Sequence, residues 1–177
     1  MSGDIRAIFT IGHSTLPVEK FVQLLEANGV ELLVDIRSMP RSRRNPQFNR
    51  DALPEPLGAV GIGYLHAPEL GGMRHPRSDS RNGAWQNDGF RGYADYMQTA
   101  EFAAAIEKLI ELGRKKQIAI MCAEAVPWRC HRSLVSDALT ARGIAVEHIM
   151  GSRRQAHGLT SFAQVEGTRV WYPGVTD

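Results

Sequence analysis

The sequence predicts an α/β fold: a mainly parallel sheet of five strands, or slightly more, with helices on both faces, a long loop insertion and a polar C-terminal tail. Three observations predict it. Strand-like and helix-like segments alternate along the chain. Several of the strand segments are unbroken apolar runs, as strands buried on both faces require. Ionisable residues gather where those runs end, and in open α/β sheets ligands bind at the carboxyl ends of the strands. Length and composition agree: 177 residues, 43% hydrophobic and 23% charged, suit one globular unit with its own core.

The elements follow in order. Residues 5–11 are a short apolar run stopped at Gly12, and read as the first strand. Thr15 offers an N-cap, with Pro17 and Glu19 in the first helical turn. Val18, Phe21, Val22 and Leu25 then mark one apolar helical face, closed by Asn28-Gly29. Residues 30–36 form a second strand. The stretch 37–50 is irregular, broken by Pro40 and Pro46, and only a weak helix is expected over 51–60. Residues 62–66 give a third strand. The segment 68–89, rich in Gly, Pro, Asn, Asp, Ser and Arg, is too long for an ordinary connection, and reads as a functional loop, a lid or a partly disordered insertion. A short helix begins near Tyr93; a stronger one carries Phe102, Ala105, Ile106 and Leu109 and stops at Gly113. Residues 118–122 are a fourth strand. Leu134, Val135, Ala138 and Leu139 mark a last helix closed by Gly143, and 144–150 a fifth strand. From Gly151 periodicity is lost, so residues 1–151 read as one α/β domain and 152–177 as an extension that packs on it or runs partly extended.

No apolar run approaches the roughly 20 residues that span a bilayer, so no membrane partner is expected. The first ten residues carry an acid and an arginine and lack a signal-peptide core. Two cysteines, Cys122 and Cys130, make no secreted disulfide framework, and a reducing cytoplasm is the expected location. The net charge is only +2, but 17 of the 21 basic residues are arginines, whose rigid donor fork suits carboxylate and phosphate.

The expected strand ends carry His13-Ser14, Asp35 and Arg37, His66 with Glu69, Cys122 with Glu124, and His148 with Arg153. The densest piece is Cys122-Ala-Glu124-Ala-Val-Pro-Trp-Arg129-Cys130-His131-Arg132-Ser133, a passage from strand through loop into helix. Amide groups at that helix start offer an anion site, and a bound anion or Glu124 would offset the arginines at the positive dipole end. Cys122 occupies a nucleophile position, but its spacing to Arg129 is one residue longer than a phosphatase loop and Glu124 lies close, so an inert core cysteine is the favoured reading. Cys130, flanked by Arg129, His131 and Arg132, has the surroundings that favour a thiolate. Cys122, Glu124, Cys130 and His131 could ligate a metal, but no Cys-x-x-Cys pair is present and no metal is assigned. Arg37, Arg41, Arg43, Arg44 and Arg50 with Phe48, and Arg74, Arg77, Arg81 and Arg91 with Trp85 and Phe90, interleave cations with aromatics as phosphate contact plus base stacking would need.

Thr10-Ile-Gly-His-Ser14, Leu33-Val-Asp-Ile-Arg37 with Pro40 and Ser42, and Cys122-Ala-Glu124 followed by Cys130-His-Arg132 together resemble the family called domain of unknown function 488. The resemblance covers about 5–151. It implies a compact bacterial or archaeal α/β domain with those positions gathered together, and it names no reaction.

The expected function is therefore an enzyme, a hydrolase or transferase, on an anionic, phosphate-bearing substrate related to nucleotides or nucleic acid. His13, Glu124, Cys130 and His131 are the candidate catalytic residues; Ser14, Asp35, Arg37, Arg129 and Arg132 are the candidate substrate contacts. One alternative is a nucleic-acid-binding module without catalysis, using the arginine-rich loops. A second is a metal-binding or redox-sensing domain built on Cys122 and Cys130. Cofactor and oligomeric state are not readable from the chain.

Overall fold

Alternating placement of apolar side chains on the two sides of each strand builds two cores here, one on each face of a single sheet. The computed structural model describes residues 6–174. The strands are β1 (Ile8–Gly12), β2 (Leu32–Asp35), β3 (Gly63–His66), β4 (Ile118–Cys122), β5 (Val146–Met150) and β6 (Arg153–Ala156). Their order is β3-β2-β4-β1-β5-β6; the first five run parallel and β6 returns antiparallel on the edge. The mainly parallel α/β architecture is as expected, with one strand more. Position 5, where the first strand was expected to begin, lies outside the described residues.

Helices α1 (Val18–Ala27) and α2 (Pro54–Gly58) cover one face, where Phe21, Val22, Leu25 and Leu57 pack on Phe9, Ile11, Leu33, Ala119 and Met121. Helices α3 (Asp88–Tyr96), α4 (Ala100–Lys115) and α5 (Arg132–Ala141) cover the other, where Phe102, Ile106, Leu134 and Val135 meet Ile8, Val34, Ile118 and Ile120. Thr15 does not cap α1; Pro17 takes that position, its fixed φ of −59° setting the entry. α3 begins five residues before the expected Tyr93, because Asn87 caps it by accepting from the Phe90 amide at 3.1 Å; Gly89 and Gly92 hide that start from periodicity.

The C-terminal region packs on the rest of the chain. Besides β6, it forms a hairpin of β7 (Gln164–Glu166) and β8 (Arg169–Trp171). Val170 and Tyr172 join the core under α5, with Tyr172 fully buried. Val170 and Tyr172 turn inward as core side chains and His157 as a buried polar one, too few and too far apart to give a period.

The long loop is fastened rather than loose. Asp95 on α3 accepts from the Arg77 amide, the Ser80 hydroxyl and the Asn82 side chain at 2.6 to 2.8 Å. Tyr93 and Tyr96 donate to the carbonyls of Leu70 and Glu69. Gly92 lets the loop lie against α3: a Cβ there would stand 2.3 Å from the Arg74 carbonyl oxygen.

Candidate functional site

β1 and β4 are neighbours, yet β1 leads into α1 on one face and β4 into α5 on the other. A crevice opens where neighbouring strands send their chains to opposite faces. Here it is a cleft of about 780 Å³. His13, Ser14, Arg37, Glu124, Arg129, Cys130 and His131 all line it, together with Cys122, Arg41 and the loop residues Gly72 and Met73. The sequence expectation of five converging strand ends is corrected to three, those of β1, β2 and β4. His66 opens instead on an adjoining pocket, and His148 turns into the interior.

Gly12 makes this convergence possible. The β4 loop runs so close to β1 that a Cβ at Gly12 would lie 1.6 Å from the Glu124 carbonyl oxygen. The two loops are then stitched by the His13 and Ser14 amides, which donate to the carbonyls of Cys122 and Ala123 at 3.0 and 2.9 Å. Ser14 holds a left-handed φ of 48°, which is uncommon for a residue with a Cβ.

His13 is buried and its ring stacks on Phe48 at 4.4 Å. Its Nδ1 lies 2.8 Å from the Ser14 carbonyl and therefore donates, which leaves Nε2 to accept from Arg37 Nη1 at 3.3 Å. Burial lowers its pKa despite the Ser14 carbonyl, and Arg37 lowers it further. His131 is fixed likewise: its Nε2 donates to the Ile36 carbonyl at 3.0 Å, and burial pushes its pKa down to about 4. Both imidazoles are thus neutral near pH 7. Neither arrives carrying an extra proton.

Arg37 donates through Nε and Nη2 to both Asp35 oxygens and also to the Phe48 carbonyl. Asp35 is fully buried and additionally receives the Tyr64 hydroxyl. Asp35 therefore does not reach the cleft as a substrate contact; it orients Arg37, which in turn orients His13. Arg132 is also withdrawn. Only 1% exposed, it donates through Nη2 to the carbonyls of Glu124 and Ala125 at 3.3 Å, while Nε and Nη1 are buried without a protein partner. Among the described residues no carboxylate pairs with it, so the expected offset by Glu124 does not occur. The amides at the start of α5 are also occupied: Arg132 donates to Cys130 Sγ, Ser133 to the Cys130 carbonyl and Leu134 to that of His131. The anion site expected from free amides is not formed by them, because Cys130 and His131 supply their acceptors.

Cys122 and Cys130 are both free and buried at the cleft floor, within hydrogen-bonding reach of each other. Burial opposes ionisation of Cys122, but the Cys130 thiol, the Arg132 charge and the backbone at Glu124 outweigh it, and its pKa falls. Cys130, set beside Cys122 and desolvated, is pushed far up. Residue order along the chain surrounded Cys130 alone with cations; in the fold the Arg132 charge acts on both thiols.

The aromatics expected for base stacking are consumed by packing. Phe48 is fully buried under His13, and Trp85 packs against Phe90, Phe162 and Tyr172. Arg77 and Arg91 pair with Asp79 and Asp88, and Arg74 lies over the Tyr96 ring. Arg41, Arg43, Arg44 and Arg50 are exposed. Among the described residues, no three His, Cys, Asp or Glu side chains converge where they could hold a metal ion, and no helix is long and apolar enough to cross a membrane.

The family model described as "Domain of unknown function DUF488" matches residues 17–139, more than half of the chain. No curated protein and no solved structure matches it.

Proposed function

From a chain that belongs to the DUF488 family, whose name carries no reaction, we propose an enzyme that acts on an anionic substrate in the cleft at the carboxyl ends of β1, β2 and β4. The observation that carries this reading is the cationic frame of a cleft with a buried sulfur in its wall: Arg37, Arg41 and Arg129 line it together with Cys122, and Arg41 and Arg129 are exposed. Arg41 and Arg129 hold the anion. Arg37, held by Asp35, supports the field and fixes His13 as a neutral ring in the cleft wall. Glu124, exposed beside the floor, contacts the substrate's polar end. Both nucleotides and simple phosphate-bearing compounds fall within the class, and the cytoplasm is the proposed setting.

The test is a thermal-shift panel of inorganic phosphate, pyrophosphate, nucleotides and anionic thiol derivatives. A raised melting temperature with at least one anion, suppressed by salt and lost in the Arg41→Ala, Arg129→Ala double variant, supports the reading. A flat response across the panel rejects it. The second reading, nucleic-acid binding without chemistry, is favoured by one feature only: the exposed Arg41, Arg43 and Arg44 beside the opening.

A further inference from the structure

Two buried thiols line the cleft, and behind it Arg132 is buried without a carboxylate partner among the described residues. Cys122 and Cys130 lie side by side, and Cys130 Sγ lies 3.4 Å from His131 Nδ1. Since His131 Nε2 donates to the Ile36 carbonyl, Nδ1 is the lone-pair nitrogen and faces the thiol. Arg132 is buried with two unpartnered nitrogens, and its charge favours the Cys122 thiolate. The order His131, Cys130, Cys122 is thus base, thiol, thiolate.

A second thiol in this place selects the chemistry. Had Cys122 taken a phosphoryl or acyl group, attack by Cys130 would only move the group from one sulfur to the other. Had Cys122 become bonded to another sulfur, attack by Cys130 on Cys122 would release the product and close a disulfide. We propose that Cys122 is the attacking thiolate and Cys130 the resolving thiol of a dithiol couple that reduces a low-molecular-weight disulfide with anionic arms. This rests on the anionic reading above and names its substrate class.

The steps balance. The Cys122 thiolate attacks one sulfur of R–S–S–R; a Cys122–S–S–R bond forms, the substrate S–S bond breaks, and RS⁻ leaves. Cys130 gives its proton to His131 Nδ1, and its sulfur attacks Cys122 Sγ. The Cys122–Cys130 disulfide forms, and the second RS⁻ leaves and takes the proton from His131. The protein dithiol is oxidised by two electrons and the substrate is reduced by two, to one thiolate and one thiol. A dithiol reductant restores the protein.

Reduced full-length protein is mixed with coenzyme A disulfide, whose arms carry phosphates, with glutathione disulfide, whose arms carry carboxylates, with neutral hydroxyethyl disulfide, and with hydrogen peroxide. The expected result is loss of two hydrogens from the intact mass, a Cys122–Cys130 cross-link on peptide mapping, and faster reaction with at least one anionic disulfide than with the neutral one. Cys130→Ser should trap the R group on Cys122, and Cys122→Ser should leave Cys130 unmodified; wild-type melting behaviour of both variants is checked first. The His131→Gln variant should trap the mixed disulfide longer, while alkylation of Cys122 retains its pH profile. Peptide mapping of the wild type alone decides the matter if a variant fails to fold. No cross-link, or modification of Cys130 first, overturns the proposal. Peroxide alone producing the cross-link overturns the substrate class. A neutral disulfide reacting as fast as the anionic ones keeps the thiol pair but overturns the anionic reading; anion binding without any cross-link does the reverse.

Discussion

At the residue scale, the site depends on a few positions where chemistry and space are tightly set. Gly12→Ala would drive a methyl group into the Glu124 backbone, and the β4 loop would have to move. The expected outcome is a folded protein of lower stability whose Cys122 alkylates differently, checked by melting and by iodoacetamide kinetics. Asp35→Asn leaves the buried Arg37 without its charge partner, which costs about 3–5 kcal/mol in comparable buried pairs. Urea denaturation reads that loss directly, and an unchanged midpoint would show that Arg37 finds another anion. These residues were partly legible. His13, Arg37, Glu124 and His131 stood out as polar groups at strand ends, and they do surround one cleft. The division of labour between Cys122 and Cys130 was not legible, because it depends on how the fold sets the two buried thiols beside each other.

At the element scale, α3 and the loop before it behave as one unit. Asp95 gathers three donors from the loop. Asp95→Ala should therefore raise hydrogen exchange at Arg77 and Asn82 while β4 keeps its protection; the cost of stranded donors is about 1–3 kcal/mol. Exchange unchanged at those amides would mean the loop is held by Tyr93 and Tyr96 alone. The arginines after β2 make the opposite case, being exposed and carried by an irregular segment. Should the nucleic-acid reading hold, Arg41→Ala, Arg43→Ala and Arg44→Ala together should flatten the salt dependence of binding by about 2 to 3 units of slope, since each phosphate contact contributes about one. The loop's length announced something unusual, yet its anchors did not show, because Asp95 looks like any surface acid of a helix until its partners are in place.

At the scale of the whole molecule, a buried polar chain ties the C-terminal region to the sheet. Thr10 contacts His148, His148 contacts His157, and Asp137 receives His157, the Thr160 amide and the Tyr172 hydroxyl. Truncation after Gly151 would remove Tyr172 and leave Asp137 buried without these donors, so the shortened chain should unfold at markedly lower denaturant. The same burial sets a pH dependence. His148 is pushed down to about 3 by burial, with His157 and Arg132 adding to it, and His131 to about 4, while His13 is also lowered. An unfolded histidine titrates near about 6.5, so below that pH the unfolded chain binds protons that the native chain refuses. Stability should be full above about pH 7 and fall as the pH drops through 6 toward 4, by up to about 1.4 kcal/mol per pH unit for each histidine. Chemical denaturation at pH 7.5 and 5 tests the sign; equal stability at both would mean these rings are hydrated in the native state.

The sequence by itself determined the parallel sheet, its covering helices and the strand ends from which the cleft is built, because unbroken apolar runs and helical periodicity are local signals of burial. Strand order, the reduction of five converging ends to three, the hairpin after β6 and the meeting of the two thiols in one cleft wall were decided only by the tertiary structure. Each of them depends on contacts between residues far apart in the chain, where side-chain direction and desolvation, rather than neighbouring residue types, set which groups meet and which of them carry charge.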